Sequence, residues 1–238
     1  MNRCCMLLAG LLVGGGACAA QGPSELMFEV RREGETIGSH CVEFSRRGDL
    51  LDVEVAMELQ VPLPLWFDYR YSYRASERWQ GGRLQALEIV IDDGGKQRRI
   101  EAYRRAGILE VATNDGQWQV PGDLMTSNHW NPDALGEPHL LNTLTGRVSR
   151  IDSEYLGSDR VTIGDRELDV RRYRLGGELG DSLVWYDQGG SWRGLEFSAR
   201  DGSRIRLYPL STERVAALDP SETPWSRNPL CRPGQQSG

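Results

Sequence analysis

The 238-residue chain has few of the patterns by which enzymes and metal proteins reveal themselves. It holds three histidines and no HExxH or comparable spacing. A metal site would need His40, His129 or His139 to converge with carboxylates from elsewhere, and the plainer reading is three polar histidines at strand or loop positions. There is no CxxC pair, which removes the usual zinc and dithiol sites. There is no GxSxG nucleophile elbow and no phosphate-cradling glycine loop leading into a helix. Neither sign of charge forms a long block: 28 basic residues against 34 acidic ones leave a net charge of -6. Nucleic-acid binding needs concentrated positive charge, so that class of partner is excluded. Beyond the first twenty residues no apolar run approaches the roughly 18 residues that span a bilayer, so no transmembrane span is expected in the mature chain. The sequence therefore names no cofactor and no metal.

What is present begins at the N-terminus. Met1-Asn2-Arg3 supplies a short positive start, Met6 to Val13 is apolar, and Ala17-Cys18-Ala19-Ala20 offers small residues for cleavage. This is the pattern of a secretory signal peptide over residues 1–20, cut after Ala20, and it predicts a periplasmic or secreted protein. The competing reading is a lipoprotein acylated at Cys18. It is weakened by Gly15, which stands three residues earlier where an aliphatic side chain is expected. Cleavage would remove Cys4, Cys5 and Cys18 and leave Cys41 and Cys231. In an oxidising compartment these two can pair or stay as two free thiols, and both readings stand. From Ser211 onward apolar content falls and Pro220, Pro224, Pro229 and Pro233 appear, so residues 211–238 read as a disordered tail. Residues 21–210 remain as one domain, of a size that buries about 70% of its unfolded surface.

That domain alternates. Leu26, Phe28 and Val30 interleave with Glu25, Met27 and Glu29, the period-2 signature of a half-buried strand. His40, Val42 and Phe44 share a face on the next strand, and Val53, Val55, Met57, Leu59 and Val61 give the cleanest alternation of all. Pro62-Leu63-Pro64 interrupts this ladder, because proline lacks the donor that a central strand needs, so the stretch reads as a bulge, an edge or a loop. Gly-rich turns at Gly81-Gly82, Gly94-Gly95 and Asn114-Asp115-Gly116 make successive strands antiparallel neighbours. Later strands are expected over residues 147–156, 159–163, 166–175, 182–186, 194–200 and 203–208. The fold class is mainly β: one large, strongly curved antiparallel sheet with at most one or two short helices. A closed barrel, an open half-barrel and a sandwich all satisfy the pattern, and edge protection favours a sheet curled around a filled or partly filled interior.

Two stretches carry candidate site residues. Phe67, Tyr69, Tyr71 and Tyr73 fall on one strand face, next to Trp66, and form an aromatic stripe. Such a stripe is either sheet core or the wall of an apolar pocket, since tyrosine joins an apolar body to a polar tip. The second stretch, Thr126-Ser127-Asn128-His129-Trp130-Asn131-Pro132, ends in a helix start with Asn131 as cap and Pro132 at the first position. Trp130 reads as a plug for one end of the sheet or as a ligand contact, and His129 joins it as a ligand-contact candidate. Ser127 and His129 would share a face on a strand, with Asp133 nearby, which is the seed of a hydrolase reading. Nothing resembling an oxyanion hole accompanies them. Asp92-Asp93 sits in a glycine-rich turn and is explained by turn chemistry rather than by glycoside hydrolysis.

Several of these residues recur together. Arg70-Tyr71, Ser76-Glu77-Arg78-Trp79-Gln80-Gly81-Gly82, His129-Trp130-Asn131-Pro132 and Leu140-Leu141-Asn142-Thr143-Leu144-Thr145-Gly146 resemble an uncharacterised family of exported bacterial proteins, the domain of unknown function 6134. Arg171-Arg172-Tyr173-Arg174-Leu175 and Leu183-Val184-Trp185-Tyr186 extend the likeness from Glu25 to Tyr208. The resemblance implies an exported β-rich fold, similar to the curved half-barrels of periplasmic lipoprotein carriers. It implies no activity and brings no catalytic residue. The Pro62-Leu63-Pro64 interruption departs from the unbroken apolar strand expected there.

The functional expectation is a non-catalytic periplasmic module that binds an apolar or amphipathic, lipid-like ligand through Trp66, Phe67, Tyr69, Tyr71, Tyr73, His129 and Trp130. The alternatives are a structural or interaction module of the cell envelope with a packed interior, and a hydrolase centred on Ser127 and His129.

Overall fold

In a computed structural model, residues 24–63 and 67–211 are described; the signal-peptide, lipoprotein and tail expectations lie outside them. Eight strands come first: β1 (Glu25–Arg32), β2 (Glu35–Arg47), β3 (Leu50–Leu63), β4 (Phe67–Gln80), β5 (Arg83–Asp93), β6 (Lys96–Arg105), β7 (Ile108–Thr113) and β8 (Gly116–Pro121). After β9 (Met125–Thr126) comes a single 3-10 turn, Pro132–Gly136, and then β10 (His139–Leu141). β11 (Val148–Ile163), β12 (Arg166–Gly177), β13 (Ser182–Asp187), β14 (Trp192–Ser198) and β15 (Arg204–Pro209) complete the chain's elements. All fifteen belong to one sheet in the order β8-β7-β6-β5-β4-β3-β2-β1-β15-β14-β13-β12-β11-β10-β9.

Every sheet neighbour is also a chain neighbour, except where β1 pairs with β15. All the ladders are antiparallel but the short parallel one between β9 and β10. The sheet curls without closing. β8 and β9 follow each other in the chain yet stand at its two edges. The economy comes from the turns: Gly81 and Gly82 at φ 56° and 74° adopt the left-handed conformation that a two-residue hairpin requires.

Two expectations change. Val148–Ile163 form one strand rather than two, because the register slips between Tyr155 and Gly157 while the ladder to β12 continues. Gly157, at φ 111°, takes up the extra residue as a bulge, which bends a strand without ending it. Pro62 likewise stays in its strand, opposite Asp68. The β2 ladder stops at the Gly38–Leu59 pair, so β3 overhangs there and has an open side on which proline needs no partner.

The concave face holds the core, with Phe28, Val30, Val42, Val53, Val55, Leu84, Leu87, Ile89, Ile100, Leu109 and Leu207 essentially sealed from water. The turn between β10 and β11 folds across the far side of the sheet. Trp118 donates to the Gly146 carbonyl at 2.9 Å, Arg98 donates to the Leu144 carbonyl at 2.7 Å, and the Arg147 guanidinium lies 3.6 Å from the Trp118 ring centre. On the other face a small cluster of Val161, Val170 and Trp185 is buried separately. Met27, Cys41 and Ala56 on that face are buried as well. Cys41 is disulfide-bonded, so the free-thiol reading does not hold for it; the other four cysteines lie outside the described residues.

At Gly38 the strands approach so closely that an added Cβ would lie 1.9 Å from the Glu58 carbonyl oxygen. Gly38→Ala is therefore expected to destabilise the domain by about 1–3 kcal/mol, since overpacked backbone contacts have no soft side chain to yield. Urea unfolding should show a lower midpoint at an unchanged slope.

Candidate functional site

Along β4 the inward positions read Tyr69, Tyr71, Tyr73, Ala75, Glu77 and Trp79. One of these is out of character. Glu77 is 1% exposed, a carboxylate in the middle of an apolar face. Among the described residues it makes no salt bridge. An isolated buried carboxylate is strongly unfavourable, and here neutral donors offset the cost. Trp79 Nε1 and Trp130 Nε1 donate to Oε2 at 2.8 and 3.1 Å, and Asn128 Nδ2 donates to Oε1 at 2.5 Å. The Thr126 hydroxyl is a further partner. Burial pushes the Glu77 carboxyl above its ordinary range, and these donors pull in the opposite direction.

The network continues outward. Tyr73 donates its hydroxyl to Asn128 Oδ1 at 3.0 Å, and Thr143 Oγ1 reaches the same oxygen at 3.4 Å. Ser127 Oγ accepts the Thr143 backbone N–H at 3.0 Å and shares a hydrogen bond with its hydroxyl, also at 3.0 Å. Three segments far apart in sequence, 73–79, 126–130 and 142–143, thus meet on one buried carboxylate. Trp130 packs edge-to-face on Trp79 and Phe44, each at 5.7 Å between ring centres.

Of the residues expected to bind ligand, the structure brings Tyr73, His129 and Trp130 to this network. Tyr73 is buried, and its hydroxyl has been pushed well above the usual phenol range by burial. Tyr69 and Tyr71 are half-buried, both raised to about 12, chiefly by burial. Tyr69 donates to Asp93. Phe67 pairs with Leu63 at the end of β4, and Trp66 lies outside the described residues. His129 packs against Trp192, at 5.8 Å between ring centres, with His40 on the same indole at 5.2 Å. Burial lowers His129 to about 4 and His40 to about 3, with the nearby His129 adding to the effect on His40. No hydrogen bond joins Ser127 to His129. The serine is committed to Thr143, and a histidine held neutral in this way is a poor base at neutral pH. The described residues contain no group of three or more His, Cys, Asp or Glu placed to hold a metal ion.

Sequence reasoning passed over Glu77. The signal was there: an acidic residue at an inward step of an otherwise aromatic and apolar alternation.

Two hollows flank the central stretch. A cavity of about 10 Å³, just large enough for one water, is lined by Ser127, Asn128, His129, Leu140 and Tyr186, among others. On the other side of the 3-10 turn an open groove of about 440 Å³ is lined by Pro132, Asp133, Leu135, Gly136, Arg171, Tyr173 and Tyr186. The turn that walls both is placed by Asn131, whose side chain accepts the Asp133 N–H at 3.0 Å, and by Tyr186, which donates to the His129 carbonyl at 2.8 Å.

The architecture defines a class, the β-barrel-like proteins built on one unclosed curved sheet. Within it the chain belongs to the family known as domain of unknown function DUF6134, whose model matches residues 28–209. Among solved structures it is similar to a β-barrel-like protein of the domain of unknown function DUF1849 from Brucella abortus. That likeness has a TM-score of 0.57 at 10% identity and covers 78% of this chain and 94% of the other, so it concerns the fold alone. No curated protein matches the sequence.

Two predictions follow from the network and the histidine pair. Glu77→Gln keeps shape but turns an amide N–H2 towards groups that all donate, so a loss of about 1–3 kcal/mol is expected per buried group left unpaired. Chemical denaturation of the two proteins measures it. The histidines set an acid limb: the unfolded chain takes up their protons near the ordinary value of 6.5, whereas the folded protein resists until about 4 and about 3. Stability should be full above that ordinary value and fall as pH drops below it, with a slope of up to about 1.4 kcal/mol per pH unit for each histidine. His129→Gln should flatten the slope measured between neutral pH and about pH 4.

Proposed function

We propose that this is an exported, non-catalytic module that binds an apolar or amphipathic, lipid-like molecule on the concave face of its sheet. The observation that carries this reading is a single cross-strand row. It runs Tyr71, Leu59, Gly38, Val30, Leu207, Leu195, Val184, Tyr173, Tyr155 through nine neighbouring strands. The middle is sealed, with Val30 and Val184 both at 0% exposure, but the ends are not. Tyr71, Leu59 and Tyr173 are half-buried, and Tyr155 is 55% exposed. Tyrosines at the open ends of an apolar surface suit a ligand with a long apolar body, because each ring offers contact area at low entropic cost and a polar tip for the wet side. Tyr69 lies beside Tyr71 on the same face and extends that end.

Export is supported by the N-terminal sequence and by the bonded state of Cys41, since disulfides persist in oxidising compartments. A second reading has its own support. The hollow beside Ser127 and His129 holds no more than one water, and Tyr73, expected as pocket wall, is spent on the core. This favours a packed interaction module of the envelope.

Native mass spectrometry of the protein purified gently from the periplasm separates the two. A retained lipid-sized mass, lost in Tyr71→Asp while circular dichroism stays unchanged, is the expected result. A clean unliganded mass, together with no binding of added dodecanoate or monolaurin, would leave the packed module standing.

A further inference from the structure

We propose that the groove between the 3-10 turn and β12–β13 is the headgroup end of the ligand surface, and that it selects a monoanionic long-chain carboxylate through Arg171. This rests on the amphiphile reading above and adds where the polar end sits and what charge it bears.

Arg171 lines the groove with no counter-ion. Its Nη2 donates to the Asp187 backbone carbonyl at 3.2 Å, and its Nε is buried without a hydrogen-bond partner. Among the described residues no carboxylate lies within ion-pair distance of it. The nearest carboxylate along the chain, Asp169, pairs with Arg160 at 3.3 Å, and Asp187 is occupied by Arg193 at 2.7 and 2.9 Å. A half-buried guanidinium with unused donors is a costly arrangement unless an anion completes it, and the planar fork matches a carboxylate. Arg172 Nε is likewise buried without a hydrogen-bond partner, but that side chain has a counter-ion, Asp159, at 3.5 Å.

The remaining lining fits the rest of such a molecule. Tyr186 forms the floor, with Tyr173 against it at 6.2 Å between ring centres and Tyr155 continuing the row at 5.3 Å from Tyr173. This aromatic shelf leads away from Arg171 along the concave face, and Leu135 closes the opposite side. Asp133 is the other charged group lining the groove, exposed on the 3-10 turn. Arg171 supplies one positive charge, which a single negative charge matches, whereas a dianion would bring a second, unmatched charge into a groove that Asp133 also lines. Charge and shape together favour a fatty-acid-like carboxylate over a phosphate head.

The test compares dodecanoate with monolaurin, its uncharged glycerol ester, by calorimetric titration of the full mature chain. The expected result is about tenfold tighter binding of dodecanoate to the wild type, the range of one charge-assisted pair. Arg171→Gln should erase that preference, weakening dodecanoate about tenfold more than it weakens monolaurin. Equal binding of the two by the wild type, or a preference that survives Arg171→Gln, overturns the assignment of the headgroup site while the amphiphile reading stands. Binding of neither overturns both. Should the variant fail to fold, the Arg171 Nε–H resonance of the wild-type protein decides: a shift with dodecanoate and none with monolaurin supports the proposal, and no shift with either refutes it.

Discussion

A buried carboxylate without a cation organises this protein. Glu77 sits in the apolar face of β4, where leaving its oxygens unmet would cost more than a domain of this size can spare. Two indole N–H groups, an asparagine amide and a threonine hydroxyl meet it instead. Those groups come from β4 itself and from the 126–130 stretch, so satisfying one side chain pins a non-repetitive segment against the sheet. Tyr73 and Thr143 extend the constraint to a third segment through Asn128. In this way a polar requirement does the work of register.

The consequences reach the surface. With 126–130 held in place, Asn131 and Tyr186 set the short 3-10 turn, and the turn becomes the shared wall of a one-water hollow and an open groove. The sheet curls without closing: β8 and β9 are consecutive but unpaired, and the loop after β10 crosses over to Trp118 to cover part of the gap. Towards those edges the concave face stays sealed, with Leu109 and Leu141 both at 0% exposure, and the proposed ligand surface is instead the row whose ends on β4 and β11 are uncovered. Tyr71 marks one end of it, and Tyr173 with Tyr155 marks the other.

Much of this was legible in the residues. Period-2 alternation and glycine turns anticipated the antiparallel meander, and the strands expected from residues 166 and 182 begin there as β12 and β13. Asn131 caps a turn that starts at Pro132, as its chemistry suggested. Alternation failed where geometry absorbs an irregularity: Gly157 bends a strand without ending it, and Pro62 is tolerated on an overhang. The aromatic stripe on β4 was visible, but its division into a buried Tyr73 and half-buried Tyr69 and Tyr71 was not. That division depends on which distant segment packs above each ring.

The sequence by itself determined the class of fold, the pairing of most consecutive strands and the sides on which apolar residues lie, because alternation and turn chemistry act between near neighbours. Tertiary structure alone decided that the donors to Glu77 would arrive from segments about fifty residues away, and that Arg171 would face a groove with no counter-ion among the described residues. Hydrogen-bond and charge satisfaction depend on what the folded chain brings close in space, and local pattern carries no record of it.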